Sequence, residues 1–137
     1  MTLIIAAEGK DFVLLGSDSK ATYDGNSGDV AVEANKCFEI SKHVAILCAD
    51  DGDIGHALIK RFKSVLPSKE DGCTNVTDCF IKFCRKDMAH ITVCGEYLIP
   101  KTTFIIAGLD KKGREFCEPA TYVVNTHDFF NLRSDDV

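Results

Sequence analysis

The sequence predicts an α+β protein in which β-hairpins and helices form stacked layers. Two observations support this prediction. Short apolar runs joined by polar turns occur towards both ends of the chain, and between them the apolar residues recur at helical spacing. The predicted order is four strands, two helices and two strands. Strand pairs with helices gathered between them favour sheets that are covered by helices.

The first half of the chain predicts two hairpins. Residues 3–7 and 12–15 are apolar runs separated by a polar turn that contains a glycine. Because both runs are nearly continuous rather than alternating, we expect these strands to be covered on two faces. Residues 23–29 hold two glycines and are expected to form a loop. A second strand pair is predicted at residues 37–40 and 44–48.

Two helices and a last hairpin are predicted in the second half. Apolar side chains recur at helical spacing over residues 54–66, and Pro67 ends this first helix. The same spacing over residues 76–88 predicts a second helix. The last hairpin is predicted at residues 103–108 and 115–117, with a turn that contains a glycine between them.

Length and composition are those of a single globular domain spanning residues 1–137. The net charge of −5, without a cluster of Lys and Arg, argues against nucleic acid or a membrane as a partner. The longest apolar run, residues 3–7, is too short for a signal peptide or a membrane span, so we expect a cytoplasmic protein. The polar tail, residues 125–137, is expected to be a poorly ordered end.

The seven cysteines are interpreted as reduced thiols. Their number is odd, no Cys-x-x-Cys pair occurs, and most of them lie within apolar stretches. A free cysteine behaves as a small buried hydrophobe, whereas a zinc site or a disulfide framework would need a different spacing. Reduced thiols fit a cytoplasmic location, and we expect neither a metal nor a cofactor.

Three residues are candidates for catalysis: Thr2 at the start of the first strand, Asp18 at the end of the second, and Lys36 at the start of the third. In a hairpin the start of one strand lies beside the end of the next, so Thr2 and Asp18 should be neighbours. A buried ammonium beside the threonine hydroxyl would ease its deprotonation, and a carboxylate would keep that ammonium charged and oriented.

Removal of Met1 would give Thr2 a free α-amine beside its hydroxyl, which is a recognised way to activate a weak nucleophile. The unperturbed pKa of an α-amine, about 7.7–8.0, suits it to accept the hydroxyl proton near neutral pH. Backbone N–H groups near the turn from Asp50 to Gly52 are candidates for stabilising the oxyanion.

These motifs resemble the opening of proteasome β-type subunits and of the related bacterial threonine-protease ring subunit. Residues 16–22 read Gly-Ser-Asp-Ser-Lys-Ala-Thr and follow Thr2 at the interval found in that family. Residues 35–40 read Asn-Lys-Cys-Phe-Glu-Ile and are similar to its segment with the catalytic lysine. Residues 49–62 resemble its turn into the first helix, and residues 104–116 resemble its later hairpin. The resemblance covers about residues 2–66 and 103–119.

The resemblance implies an N-terminal-nucleophile hydrolase fold, in which two β-sheets lie between helix layers. It also implies hydrolysis of polypeptide substrates through an acyl-enzyme, and assembly into homo- or hetero-oligomeric rings. Matched position by position, Thr2 is the nucleophile, Asp18 the orienting carboxylate and Lys36 the ammonium.

Two departures from the family accompany this resemblance. Counting from Lys36 places Asp50 where the family has its oxyanion-hole glycine, whereas a shifted alignment gives that role to Gly52. The later part of the family's fold, with its supporting catalytic segment, has no match in this sequence, so we expect an incomplete version of the fold. Exposed sheet edges and apolar faces would then favour oligomerisation.

Three functions remain open from the sequence. The first is a threonine endopeptidase, and the second is a non-catalytic proteasome-like structural or scaffold subunit. The third is a different acyl-transfer reaction at Thr2, such as that of an amidase or a transpeptidase. Fold resemblance does not separate the first from the third, because activity depends on the site.

Overall fold

Ten helices and strands follow one another along the part of the chain that the computed structural model describes, residues 3–18, 20–25, 28–33, 35–50, 52–66, 71–93 and 102–126. They are β1 (Ile4–Glu8), β2 (Val13–Ser17), β3 (Lys20–Gly25), β4 (Gly28–Glu33), β5 (Cys37–Ser41), β6 (Val44–Asp50), α1 (Gly52–Val65), α2 (Cys73–Val93), β7 (Thr102–Lys112) and β8 (Glu115–Asn125). The predicted mixture of antiparallel strand pairs and two helices is confirmed. No helix in the described ranges is long and apolar enough to span a membrane.

The strands form antiparallel sheets in which chain neighbours pair. β1 pairs with β2, β3 pairs with β4, and the largest sheet has the order β5-β6-β7-β8. Both helices lie in the connection between β6 and β7, which are themselves antiparallel neighbours. The two helices therefore return the chain to the same sheet.

The main core lies between the helices and one face of the four-stranded sheet. Alternate residues of β6 and β7, such as Ile46, Phe104 and Ile106, are fully buried against the helices. This is the result of strand geometry, since every second side chain points to the same face. The Phe80 ring of α2 meets Phe62 of α1 and Phe104 in edge-on contacts, with ring centroids 5.1 and 4.9 Å apart.

The hairpin β1–β2 packs against β6, β7 and β8 of the larger sheet. Val13 and Leu15 of the hairpin border a cleft whose other wall includes Ala45 and Ala107. These alanines alternate with the residues that face the helices, so the hairpin covers the opposite face of the sheet. Helices, sheet and hairpin thus form three layers.

The predicted burial of both hairpin faces is wrong. Ile5 and Leu14 are 56% and 64% exposed, whereas Ile4 and Leu15 on the other face are partly buried. A continuous apolar run is compatible with strands covered on either one face or two, and here only the sheet-facing side is covered within the described ranges. The outer face of the hairpin therefore presents large apolar side chains to solvent.

The loop predicted at residues 23–29 is also wrong. β3 and β4 form a hairpin in which Tyr23 pairs with Val30 and Gly25 pairs directly with Gly28. The valines of β4 and the Thr22-Tyr23 pair favour extended backbone, and this preference outweighs the two glycines. Six strands therefore precede α1 instead of four. Residues 26–27 lie outside the described part of the chain.

The last strand is much longer than predicted. β8 pairs with β7 as far as Asn125, which lies opposite Thr103, and Thr126 is fully buried. The prediction of a poorly ordered tail is thus wrong at residues 125–126, and residues 127–137 lie outside the described ranges. The strand includes Pro119, which is tolerated because β8 is at the edge of its sheet.

Candidate active site

Asp18 and Lys36 form an ion pair between the end of the β1–β2 hairpin and the start of the four-stranded sheet. Asp18 follows β2 and Lys36 precedes β5, and the Lys36 Nζ lies 2.5 Å from Asp18 Oδ1. The Lys36 side chain is only 7% exposed, whereas the carboxylate is 34% exposed. A buried ammonium is costly without a partner, so the carboxylate stabilises Lys36 in this position. The structure thus brings together two of the three predicted catalytic residues.

The backbone at the start of β1 also contacts Asp18. The Asp18 N–H donates to the Leu3 carbonyl at 3.0 Å, and the Leu3 N–H donates to Asp18 Oδ1 at 3.4 Å. The first of these bonds extends the β1–β2 ladder by one position beyond the Ile4–Ser17 pair, and the second reaches the Asp18 side chain. One carboxylate oxygen therefore accepts hydrogen bonds from both Leu3 and Lys36.

These contacts lower the pKa of the Asp18 carboxyl. The pKa of the Asp18 carboxyl is below its usual value, mainly because Lys36 donates a hydrogen bond to it. The hydrogen bond from the Leu3 N–H and the charge of the ammonium also lower this pKa. Partial loss of water opposes them. Asp18 is therefore an anion at neutral pH, and its charge lies next to the charge of Lys36.

The four-stranded sheet fixes the backbone of Lys36. The Cys48 N–H donates to the Lys36 carbonyl at 3.0 Å, which continues the pairing of β5 with β6 to the residue before β5. Asp50 lies two residues beyond Cys48, or about 7 Å farther along the same strand. Lys36 and the last residue of β6 thus lie at the same end of the strands in the sheet.

The two candidate oxyanion residues flank the connection from β6 to α1. Asp50 ends β6 and pairs with Thr102, and Gly52 begins α1. The first N–H groups of a helix have no acceptor within the helix, so those near Gly52 are suitable donors to a developing negative charge.

Thr2, the predicted nucleophile, lies outside the described residues. Its proposed role stays a prediction. The described chain begins at Leu3, which is the residue bonded covalently to Thr2.

Several threonines at the same end of the sheet were not identified from the sequence. Thr102 and Thr126 are both fully buried, and the Thr102 N–H donates to Thr126 Oγ1 at 3.0 Å. One residue further along β7, the Thr103 hydroxyl donates to Asn125 Oδ1 at 2.7 Å. The signal in the sequence was the pair of Thr residues at the start of one strand and the Asn-Thr pair at the end of its partner. That signal becomes meaningful only once the register of β7 and β8 is known.

Most of the described cysteines have free thiols. Cys48, Cys73 and Cys84 are buried, as expected for hydrophobic thiols, while the remaining three are half-buried. Burial raises the pKa of Cys73 to about 12, and its Sγ donates to the carbonyls of Ile106 and Ala120. Among the residues that the structure describes, no group of three His, Cys, Asp or Glu side chains is arranged to hold a metal ion.

Comparison of the sequence with protein-family models finds no match, and comparison with curated proteins finds none. The resemblance to threonine-protease subunits therefore rests on the motifs themselves. The contact between the Asp18 and Lys36 side chains is a separate observation of the structure.

Proposed function

We propose that this chain is an N-terminal-nucleophile hydrolase that cleaves peptide bonds with Thr2 after removal of Met1. The observation that supports this proposal most strongly is the ion pair between a nearly buried Lys36 and Asp18 beside the first strand. A lysine kept charged within the protein is what activation of a neighbouring hydroxyl requires. The proposed fold is the layered sandwich of that enzyme class, and the three observed layers support it.

The reaction begins when the Thr2 hydroxyl oxygen attacks the carbonyl carbon of the peptide bond. The α-amine of Thr2 accepts the hydroxyl proton, and the Lys36 ammonium stabilises the developing alkoxide. N–H groups at the Asp50–Gly52 turn donate to the oxyanion. The proton then passes to the leaving amine, which gives an ester on Thr2, and a water molecule hydrolyses the ester by the reverse sequence of proton transfers.

Chain connectivity supports this assignment. The Leu3 amide nitrogen is 3.4 Å from Asp18 Oδ1, which in turn is 2.5 Å from the Lys36 Nζ. Thr2 is bonded to that amide nitrogen. The residue that carries the proposed nucleophile is thus bonded to an atom that contacts the ion pair.

The proposal includes assembly with neighbouring subunits and polypeptide substrates as partners. The outer face of the β1–β2 hairpin supports assembly, because Leu3, Ile5 and Leu14 are each more than half exposed. A cytoplasmic location is consistent with the free thiols of Cys73, Cys84 and Cys117.

Intact mass, N-terminal sequencing and covalent labelling test the proposed function. We expect the protein from its native host to begin at Thr2, and a peptide β-lactone to add one acyl group there. Thr2→Ala should abolish the adduct without changing the circular-dichroism spectrum. Quantitative retention of Met1 would refute the peptidase. A protein that starts at Thr2 but forms no adduct would favour the scaffold, and labelling without peptide hydrolysis would favour an amidase or a transpeptidase.

A further inference from the structure

We propose that the Thr126 hydroxyl is a positioning group for the β6–α1 turn, which supplies the oxyanion donors in the proposed reaction. This inference rests on the proposed function. In the sheet order β5-β6-β7-β8, Lys36 lies on the β5 side of the turn that follows β6. The inference concerns the other side of that turn, where β7 and β8 lie. The hydrogen bond from the Thr102 N–H to Thr126 Oγ1 is its starting point.

Thr102 connects Thr126 to the turn. It is the first residue of β7 and lies opposite Asp50, the last residue of β6. Its backbone N–H is fully buried with the rest of the residue, and Thr126 Oγ1 accepts it at 3.0 Å. A buried N–H needs an acceptor, so the Thr126 oxygen helps to hold the first residue of β7 in place, together with the pairing to Asp50.

Helix α1 rests on the same residue. A Cβ atom added to Gly55 would lie 3.1 Å from Thr102 Cγ2 and would overlap the Cys48 sulfur. The backbone of α1 therefore approaches the sheet closely at this point, one turn into the helix. Thr102 pairs with Asp50 at the end of β6, and its side chain lies close to Gly55 in the first turn of α1. A shift of Thr102 would therefore move the turn between β6 and α1.

The effect of this position on catalysis follows from the geometry that oxyanion donors require. Such donors must lie within hydrogen-bond distance of the site where charge develops, and displacement by about 1 Å lowers the rate markedly. Thr126 does not touch the reacting atoms in this account. It acts through Thr102 and the turn, and we therefore classify it as a positioning residue.

The test compares two threonine-to-valine variants. Thr126→Val removes the acceptor while keeping the side-chain shape, and Thr126→Ser keeps the acceptor. Thr103→Val is the matched control, because it also removes a hydrogen bond between β7 and the end of β8, but on the opposite face of the sheet. Two readouts are measured: amide hydrogen exchange in the first hydrogen-bonded turn of α1, residues 56–58, and the rate constant for β-lactone acylation.

We expect Thr126→Val to raise exchange at residues 56–58 about tenfold relative to residues 82–86 of α2, since a buried N–H loses its acceptor. The acylation rate constant should fall by about the same factor, with little change in KM for a peptide substrate. Thr126→Ser and Thr103→Val should both stay within about twofold of the wild type. If Thr126→Val does not fold, the Thr126→Ala variant, which lacks the same oxygen, is used in its place for both measurements.

The two readouts separate this inference from the proposed function. Unchanged relative exchange at residues 56–58 in Thr126→Val, or an equal change in Thr103→Val, would overturn the positioning role whatever the activity. Faster exchange with an unchanged acylation rate would also overturn it. If the wild type forms no adduct at Thr2, the proposed function fails and this role in catalysis fails with it, while the exchange data alone still decide whether Thr126 positions the turn.

Discussion

The two β-layers that meet at the candidate site differ greatly in how they bury their apolar residues. On the helix-covered face of the four-stranded sheet, Phe104 and Ile106 are fully buried together with Phe80 of α2. On the outer face of the N-terminal hairpin, Ile5 and Leu14 are 56% and 64% exposed. Burial of apolar area is the main source of folding free energy, so the sheet and its helices provide most of the stability.

The candidate site lies between these two regions. Lys36 is held by the sheet through Cys48, whereas Asp18 belongs to the hairpin through Leu3. The ion pair therefore joins a well-packed layer to one that has fewer buried contacts. Regions of low packing open more readily than the core, so we expect the geometry of the site to depend on how firmly the hairpin is docked.

The largest expected difference between the two layers is in the cost of removing an apolar side chain. Phe80→Ala should lower the free energy of unfolding by about 3–5 kcal/mol, because it leaves a cavity among Phe62 and Phe104. Leu14→Ala should cost less than about 1 kcal/mol, since that side chain is mostly exposed. Urea unfolding of both variants measures the difference. Similar losses in the two variants would mean that the outer face of the hairpin is covered in solution.

A smaller effect is expected where α1 meets the sheet. Gly55→Ala should lower the free energy of unfolding by about 1–3 kcal/mol, because the new methyl group overlaps the Cys48 sulfur. Cys48→Ala removes that sulfur, so the cost of Gly55→Ala should be smaller in the Cys48→Ala background. A double-mutant cycle measured by urea unfolding gives the coupling. Additive losses would contradict the close approach of α1 to β6.

The smallest expected effect is the pH dependence that Asp18 confers. Its pKa in the folded protein is below the ordinary value of 3.8, so its contribution to stability is present well above pH 3.8 and is lost as the pH falls through the lower, folded value. The difference in unfolding free energy between the wild type and Asp18→Asn should therefore shrink below pH 3.8. A difference that stays constant down to pH 2 would show that the carboxylate is not paired in the folded state.

Much of the fold follows from periodicity in the sequence. The helical spacing of apolar residues placed both helices, although α2 extends to Val93, beyond the predicted residue 88. The neighbouring position of Asp18 and the start of β1 was predicted by hairpin geometry, and the described contacts with Leu3 agree with it. Local sequence patterns therefore identify helices and strands, and they identify which consecutive strands pair in a hairpin.

The missed features depend on long-range pairing. The glycines at 25 and 28 indicate a loop in isolation, yet they pair with each other in the β3–β4 hairpin. The bond between Thr102 and Thr126 depends on the full length of β7 and β8, including a register shift between Asp110 and Lys111. Exposure of Leu14 depends on what packs against the hairpin, which an apolar run does not specify.

The most direct test of the central claim is the rate of β-lactone acylation at Thr2 in Lys36→Met, with Lys42→Met as the control. Lys42 is an exposed lysine in the turn between β5 and β6. We expect Lys36→Met to lower the acylation rate constant by at least about 100-fold, and Lys42→Met to leave it unchanged, with both variants folded by circular dichroism. An acylation rate in Lys36→Met equal to that of the wild type would contradict the claim that the Asp18–Lys36 pair activates Thr2.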